Sequence, residues 1–237
     1  MATDIRRSSA FNAETPYAVE LSGVSRLYGG SWPALTEVDL TVDKGDFVFV
    51  LGSTGAGKTT LLRLLYRQDL ADSGTVRVLG YDVDAMSERR VPELRRRIGI
   101  IFQDFKLLPD RTVYENLEFV LRVIGTDAAL IPSRIQDTLG RLGLVHKKDS
   151  FPAQLSGGEQ QKTSIARALV KEPELVLADE PTGNIDPKAS ADILNILKDI
   201  NYAGATVVMA THDADLAERT RRRRVTLDAG RVVRDET

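Results

Sequence analysis

Four apolar runs without polar alternation, at 47–51, 98–102, 175–178 and 207–210, constrain the fold of this chain more than any other feature. A strand that reads as unbroken Val, Ile, Leu and Phe leaves no face for water. It suits a parallel sheet covered on both sides by helices. Each run gives way to a polar element: Gly52 opens a glycine-rich loop, Gln103 succeeds Phe102, Asp179 and Glu180 succeed Ala178, and Thr211 and His212 succeed Ala210. Ligands of open α/β sheets bind just past the carboxyl ends of the strands. Four polar elements at four such ends point to one shared site.

Other segments alternate. Val38-Asp39-Leu40-Thr41-Val42-Asp43 and Thr75-Val76-Arg77-Val78-Leu79 have period two, as half-exposed antiparallel strands do, and Gly74 and Gly80 supply turns. Tyr114, Leu117, Leu121 and Ile124, then Ile135, Leu139 and Leu142, recur at helical spacing. The expected fold is α/β: a mainly parallel core sheet, an antiparallel β lobe and a helical lobe at about 104–160. Residues 1–16 are expected to be a flexible tail, and 17–237 a single domain. Basic and acidic residues nearly cancel (32 against 34), which argues against a general nucleic-acid binder. The Arg221–224 run is read as the entry to a strand and turn ending at Asp228-Ala229-Gly230. Without cysteine there are no disulfides, thiol catalysis or cysteine-held metals. No apolar run approaches the roughly 20 residues of a membrane-spanning helix, so any membrane role is expected to come through a partner.

The loop Gly52-Ser53-Thr54-Gly55-Ala56-Gly57-Lys58-Thr59 lies between an apolar strand and a helical segment. Its glycines let backbone N–H groups turn toward phosphate oxygens. Lys58 adds a charge at the β- and γ-phosphates, the Thr59 hydroxyl is placed for Mg²⁺, and the helix through Thr60 aims its positive end at the anion. Asp179 and Glu180 suit a division of labour: Asp179 holding Mg²⁺ through water, Glu180 activating the attacking water. Ser156-Gly157-Gly158-Glu159 fits a helix capping box, and its two glycines leave that helix start bare enough for a phosphate to approach.

On these motifs, together with Tyr28, Gln103, Asp186 and His212 in order, the chain resembles the ABC-type ATPases over most of residues 17–235. The resemblance implies ATP and Mg²⁺ as cofactors and assigns further roles. Tyr28 would stack on adenine, with a core or surface tyrosine as the plain alternative. Gln103 would touch Mg²⁺ and the lytic water. Ser156, Gly157, Gly158 and Glu159 would meet the γ-phosphate held by a second copy, and Asp186 would couple the two sites. His212 would contact the γ-phosphate; a lone buried histidine is the alternative reading. His146 matches nothing and is expected at the surface. Lys162 stands where arginine commonly closes the motif, with charge kept. One half-site of each kind per chain implies a homodimer with ATP sandwiched at its interface.

Gly183-Asn184-Ile185-Asp186-Pro187 resembles bacterial ATPases of cell division, lipoprotein release and macrolide export. The stretches at 102–108 and 111–116 are most similar to the cell-division group. That resemblance implies an integral membrane subunit as partner, a peripheral position on the cytoplasmic face of the membrane, and control of cell-wall hydrolysis. The alternatives are a transporter motor and a soluble clamp. Apolar residues around Phe105, Leu107 and Leu108 would be partly exposed if a partner's helix docks there.

Overall fold

The computed structural model describes residues 15–183 and 185–237. The expected flexible tail falls mostly outside them, but Pro16 is tied in, its carbonyl accepting from the Lys44 N–H at 3.0 Å. The chain opens with two long antiparallel strands, β1 (Tyr17–Tyr28) and β2 (Trp32–Asp43), and then enters the core on β3 (Phe47–Leu51). Helix α1 (Lys58–Leu65) comes next, then β4 (Ser73–Val78), β5 (Tyr81–Asp82), α2 (Val91–Arg97) and β6 (Ile98–Ile101). Three helices succeed them: α3 (Val113–Val123), α4 (Ile131–Arg141) and α5 (Gly157–Leu169). The chain closes with β7 (Leu175–Asp179), α6 (Pro187–Tyr202), β8 (Thr206–Thr211), α7 (Ala214–Thr220), β9 (Arg223–Asp228) and β10 (Arg231–Glu236).

Two sheets result. One is antiparallel, in the order β2-β1-β4-β5; the other runs β10-β9-β3-β8-β7-β6 and is parallel except for the β9–β10 hairpin. Each apolar run of the sequence is a strand of the second sheet, and the residues of each divide between two cores. Val48 and Val50, Leu177, Val208 and Ala210 join the core shared with the antiparallel sheet, α1 and α2. Phe47, Phe49, Leu51, Val176, Ala178, Val207 and Met209 point the other way, into a core closed by α3 to α6. A strand buried on both faces can present polar groups only at its ends, and the carboxyl ends of β3, β6, β7 and β8 lie together.

The period-two and helical segments expected from the sequence are β2, β4, α3 and α4, with Leu79 left outside β4 at a positive φ of 49°. The arginine run divides between the end of α7, which Arg221 caps, and the β9–β10 hairpin, which holds Arg223 and Arg224. Arg223 makes a paired contact with Asp235 at 2.7 and 2.8 Å, and Arg224 reaches Glu236. Arg222 lies over the Tyr202 ring. Among the described residues no helix is long and apolar enough to cross a membrane.

Phe49 is fully buried at the centre of the second core. Phe49→Ala should cost about 3–5 kcal/mol of stability, read as a lowered midpoint in urea unfolding.

Candidate functional site

The loop between β3 and α1 is held by backbone contacts that tolerate no Cβ at two positions. At Gly57, the N-cap of α1, φ is 105° and an added Cβ would lie 2.5 Å from the Ala34 carbonyl oxygen on β2. At Gly52 it would lie 2.5 Å from the carbonyl oxygen of Leu227 on β9. These two glycines therefore serve the packing of the loop against both sheets as well as access to its N–H groups. Gly55, also at positive φ, has nothing within 4 Å of its missing Cβ and needs glycine for conformation alone.

Tyr28, Ser53, Thr54, Gly55, Gly57, Lys58, Thr59, Thr60, Gln103, Glu180 and His212 line one open cleft of about 390 Å³. All were singled out in the sequence; Trp32 and Ala34 at the start of β2 join them. Gly52 and Ala56 belong to the loop but not to this wall. Lys58 is folded back: its Nζ donates to the carbonyls of Gly52 at 2.7 Å and Ser53 at 3.1 Å, and lies 3.3 Å from Glu180 Oε1. Glu180 itself sits at a positive φ of 46°, where β7 ends and the chain turns sharply. Holding a non-glycine residue there costs of order 1–3 kcal/mol, a strain that clusters at functional sites. Its other oxygen faces the backbone N–H of His212 at 3.3 Å and His212 Nδ1 at 2.9 Å. His212 is exposed, so the buried-histidine alternative does not describe it.

Asp179 lies behind Thr59. Burial pushes its carboxyl above the usual range, the Thr59 hydroxyl hydrogen bond opposes this, and the charge of Glu180 adds to it. One of its oxygens, Oδ1, is buried with no hydrogen-bond partner. Tyr28 is half-buried. Its hydroxyl lies 2.7 Å from Asp69 Oδ2 and 3.5 Å from Thr60 Oγ1, and the Arg26 guanidinium stands 5.2 Å from its ring centroid.

The remaining candidates stand outside the cleft. Ser156 and Glu159 form the expected capping box at α5: Ser156 N–H donates to Glu159 Oε2 at 2.8 Å and Glu159 N–H to Ser156 Oγ at 3.3 Å. Those hydrogen bonds and Lys147 at 3.1 Å lower the Glu159 pKa. Thr112 and Glu115 build the same box at α3, so the box is not what sets 156–159 apart. Gly157 lies in the first turn of α5, and Gly158 packs so closely on α6 that a Cβ would come 3.0 Å from Ala189 Cβ. Asp186 caps α6, accepting from the N–H groups of Lys188 and Ala189 at 3.0 Å. Lys162 pairs with Asp192, and His146 is exposed.

Sequence reading missed how α5 holds the cleft from behind. Gln161 Nε2 donates to the Pro181 carbonyl at 2.7 Å, directly after Glu180. The Arg167 guanidinium donates to the carbonyls of Phe105 and Lys106, two consecutive residues at positive φ just past Gln103. Burial alone lowers the Arg167 pKa. Sequence assigned Arg167 no role, and no local pattern reveals carbonyls about 60 residues away as its partners. Phe105, Leu107 and Leu108 are half-buried.

Fold and cleft together define a P-loop ATPase of the ATP-binding-cassette class. The family model described as ABC transporter matches residues 35–183. The chain is 47% identical over 219 residues to the cell division ATP-binding protein FtsE of Mycobacterium tuberculosis, covering 92% of this chain and 95% of that protein. It is 43% identical to FtsE of Escherichia coli over 214 residues, covering 90% and 96%. It superposes on the dimeric structure of a bacterial ABC transporter cassette with a TM-score of 0.85 at 34% identity, covering 92% of this chain and 98% of that one. A post-hydrolysis state of that cassette bound to ADP and Pi gives 0.84 at 33%, with the same coverage. The chain belongs to the ABC transporter family and, within it, to the FtsE family.

The raised Asp179 pKa has a stability consequence. A carboxyl with a folded pKa above its unfolded value destabilises the chain once pH exceeds both, and the penalty fades as pH falls through the folded pKa. Asp179→Asn should therefore raise the nucleotide-free melting temperature at pH 7, by roughly 2–4 °C for each ~1 kcal/mol relieved, while ATP hydrolysis falls. The gain in melting temperature should shrink as pH is lowered toward 4. An unchanged or lower melting temperature at pH 7 would show that the buried charge is not a burden.

Proposed function

We propose that this chain is the ATP-hydrolysing subunit of a cell-division complex, working as a homodimer that closes over two ATP molecules and passes the closure to an integral membrane partner of the FtsX type. The observation that carries the reading is the division of the site. One cleft gathers Tyr28, the 52–60 loop, Gln103, Glu180 and His212. The start of α5 (Ser156, Gly157, Gly158, Glu159) and Asp186 stand outside it. A twofold pair in which each cleft receives the α5 start of the other copy makes two complete sites. The similarity to FtsE supports the division role and, with it, a peripheral position on the cytoplasmic side of the membrane and control of cell-wall hydrolysis.

In this reading the triphosphate competes for Lys58. When Lys58 leaves the Gly52 and Ser53 carbonyls for the β- and γ-phosphates, Glu180 loses its cationic neighbour but keeps His212. A carboxylate so released is free to orient water and accept its proton, while His212 stays within reach of the γ-phosphate. Thr59, Gln103 and Asp179 would hold Mg²⁺, Asp179 through water. The unpartnered Oδ1 of Asp179 beside the Thr59 hydroxyl fits such an ion, which prefers oxygen ligands and keeps several waters. Bound there, Mg²⁺ supplies positive charge to the phosphate oxygens. Hydrolysis removes the ligand that binds the closed pair, so the output is opening and closing rather than a released product of value.

Glu180→Gln should bind ATP, lose about 10²–10⁴-fold in turnover and accumulate as a dimer by light scattering; near-normal turnover would remove Glu180 as the base. Lys58→Ala should abolish dimerisation with ATP. Tagged Glu180→Gln protein held with ATP and Mg²⁺ in gently solubilised membranes should co-purify an FtsX-type membrane protein. Recovery of a lipoprotein- or drug-export permease instead would make the chain a transporter motor.

A further inference from the structure

Two aromatic residues, Tyr28 and Trp32, line the cleft, and they are in different situations. Tyr28 and Trp32 are directly opposed across the β1–β2 hairpin, so they stand on the same face of that sheet. Tyr28 is committed: its hydroxyl is tied to Asp69 and Arg26 stands against its ring. Trp32 is 73% exposed, its indole has no ring or side-chain hydrogen-bond contact among the described residues, and yet it lines the same cleft as Lys58 and Glu180. A large apolar ring left bare at the rim of a phosphate cradle is a surface for a flat, weakly hydrated group.

We infer that Trp32 is a base-stacking residue of the nucleotide site, forming with Tyr28 a side-by-side platform on which the indole offers the open face. This rests on the reading of the cleft as an ATP site. Stacking uses the π-face common to all bases, so Trp32 strengthens purine nucleotides without choosing among them. It acts on the base and leaves the phosphate contacts alone. That separates it from Lys58 and Thr59, whose contacts are with the phosphate end only.

Trp32 is the single tryptophan of the chain, so its fluorescence reports on its own surroundings. The test compares Mg²⁺-ADP with Mg²⁺-tripolyphosphate, which has the phosphates and no base, by calorimetry on the unaltered full chain and on Trp32→Ala and Trp32→Phe. The exposed position makes both substitutions compatible with folding. Trp32→Ala should bind ADP about 5- to 100-fold more weakly and tripolyphosphate equally well, and Trp32→Phe should recover most of the ADP affinity. GDP should lose a similar factor, and ADP but not tripolyphosphate should shift the emission of the unaltered chain. Unchanged ADP affinity in Trp32→Ala would overturn the inference, and the ATP reading would survive if Lys58→Ala still abolished binding. Failure of the unaltered chain to bind either ligand would overturn both.

Discussion

Burial of the central strands on both faces is the constraint on which the other features depend. Side chains of β3, β7 and β8 go alternately into two cores, one beneath the antiparallel sheet and α1, one beneath the helices α3 to α6. No polar side chain fits along such a strand without losing its water. Chemistry is therefore driven to the strand ends, and parallel pairing brings those ends to one edge. The cleft is where the packing problem leaves room for polar groups.

Inside that cleft the balance is electrostatic. Lys58 and Glu180 are both nearly buried and satisfy one another at 3.3 Å. A buried pair of this kind contributes little net stability, because desolvation offsets the attraction, but it keeps both charges poised until a stronger anion arrives. Asp179 is the opposite case, a carboxylate whose burial is only partly relieved by Thr59. Its unpartnered oxygen and the strained backbone of Glu180 are local costs concentrated at the carboxyl end of one strand. The fold tolerates them because the strands on either side are fully buried.

Helix α5 ties the parts together. Its first turn presents the Ser156 capping box to the outside, Gln161 grips the Pro181 carbonyl after Glu180, and Arg167 grips the loop after Gln103. One helix thus contacts two edges of the cleft while the residues of its first turn do not line it. The turn after Glu180 and the loop after Gln103 are thereby both held by side chains of one helix.

The core strands and the strand-end residues of the cleft were legible from local pattern, and Tyr28 only through the resemblance. Unbroken apolar runs mark doubly buried strands, a glycine-rich loop between strand and helix marks a phosphate cradle, and paired carboxylates at a strand end mark a polar site. Phe49, Lys58 and Glu180 could be placed from their neighbours in sequence alone. Ser156 was legible as a helix cap from its spacing to Glu159, whereas the role of Asp186 was implied by the resemblance alone. Only the tertiary structure supplied relations across long separations: Arg167 with the carbonyls at 105 and 106, Gly52 against Leu227, Gly57 against Ala34, and Trp32 opposite Tyr28. Local periodicity reports which face of an element is buried, but not what lies against it. That is decided only when the two sheets pack around α1.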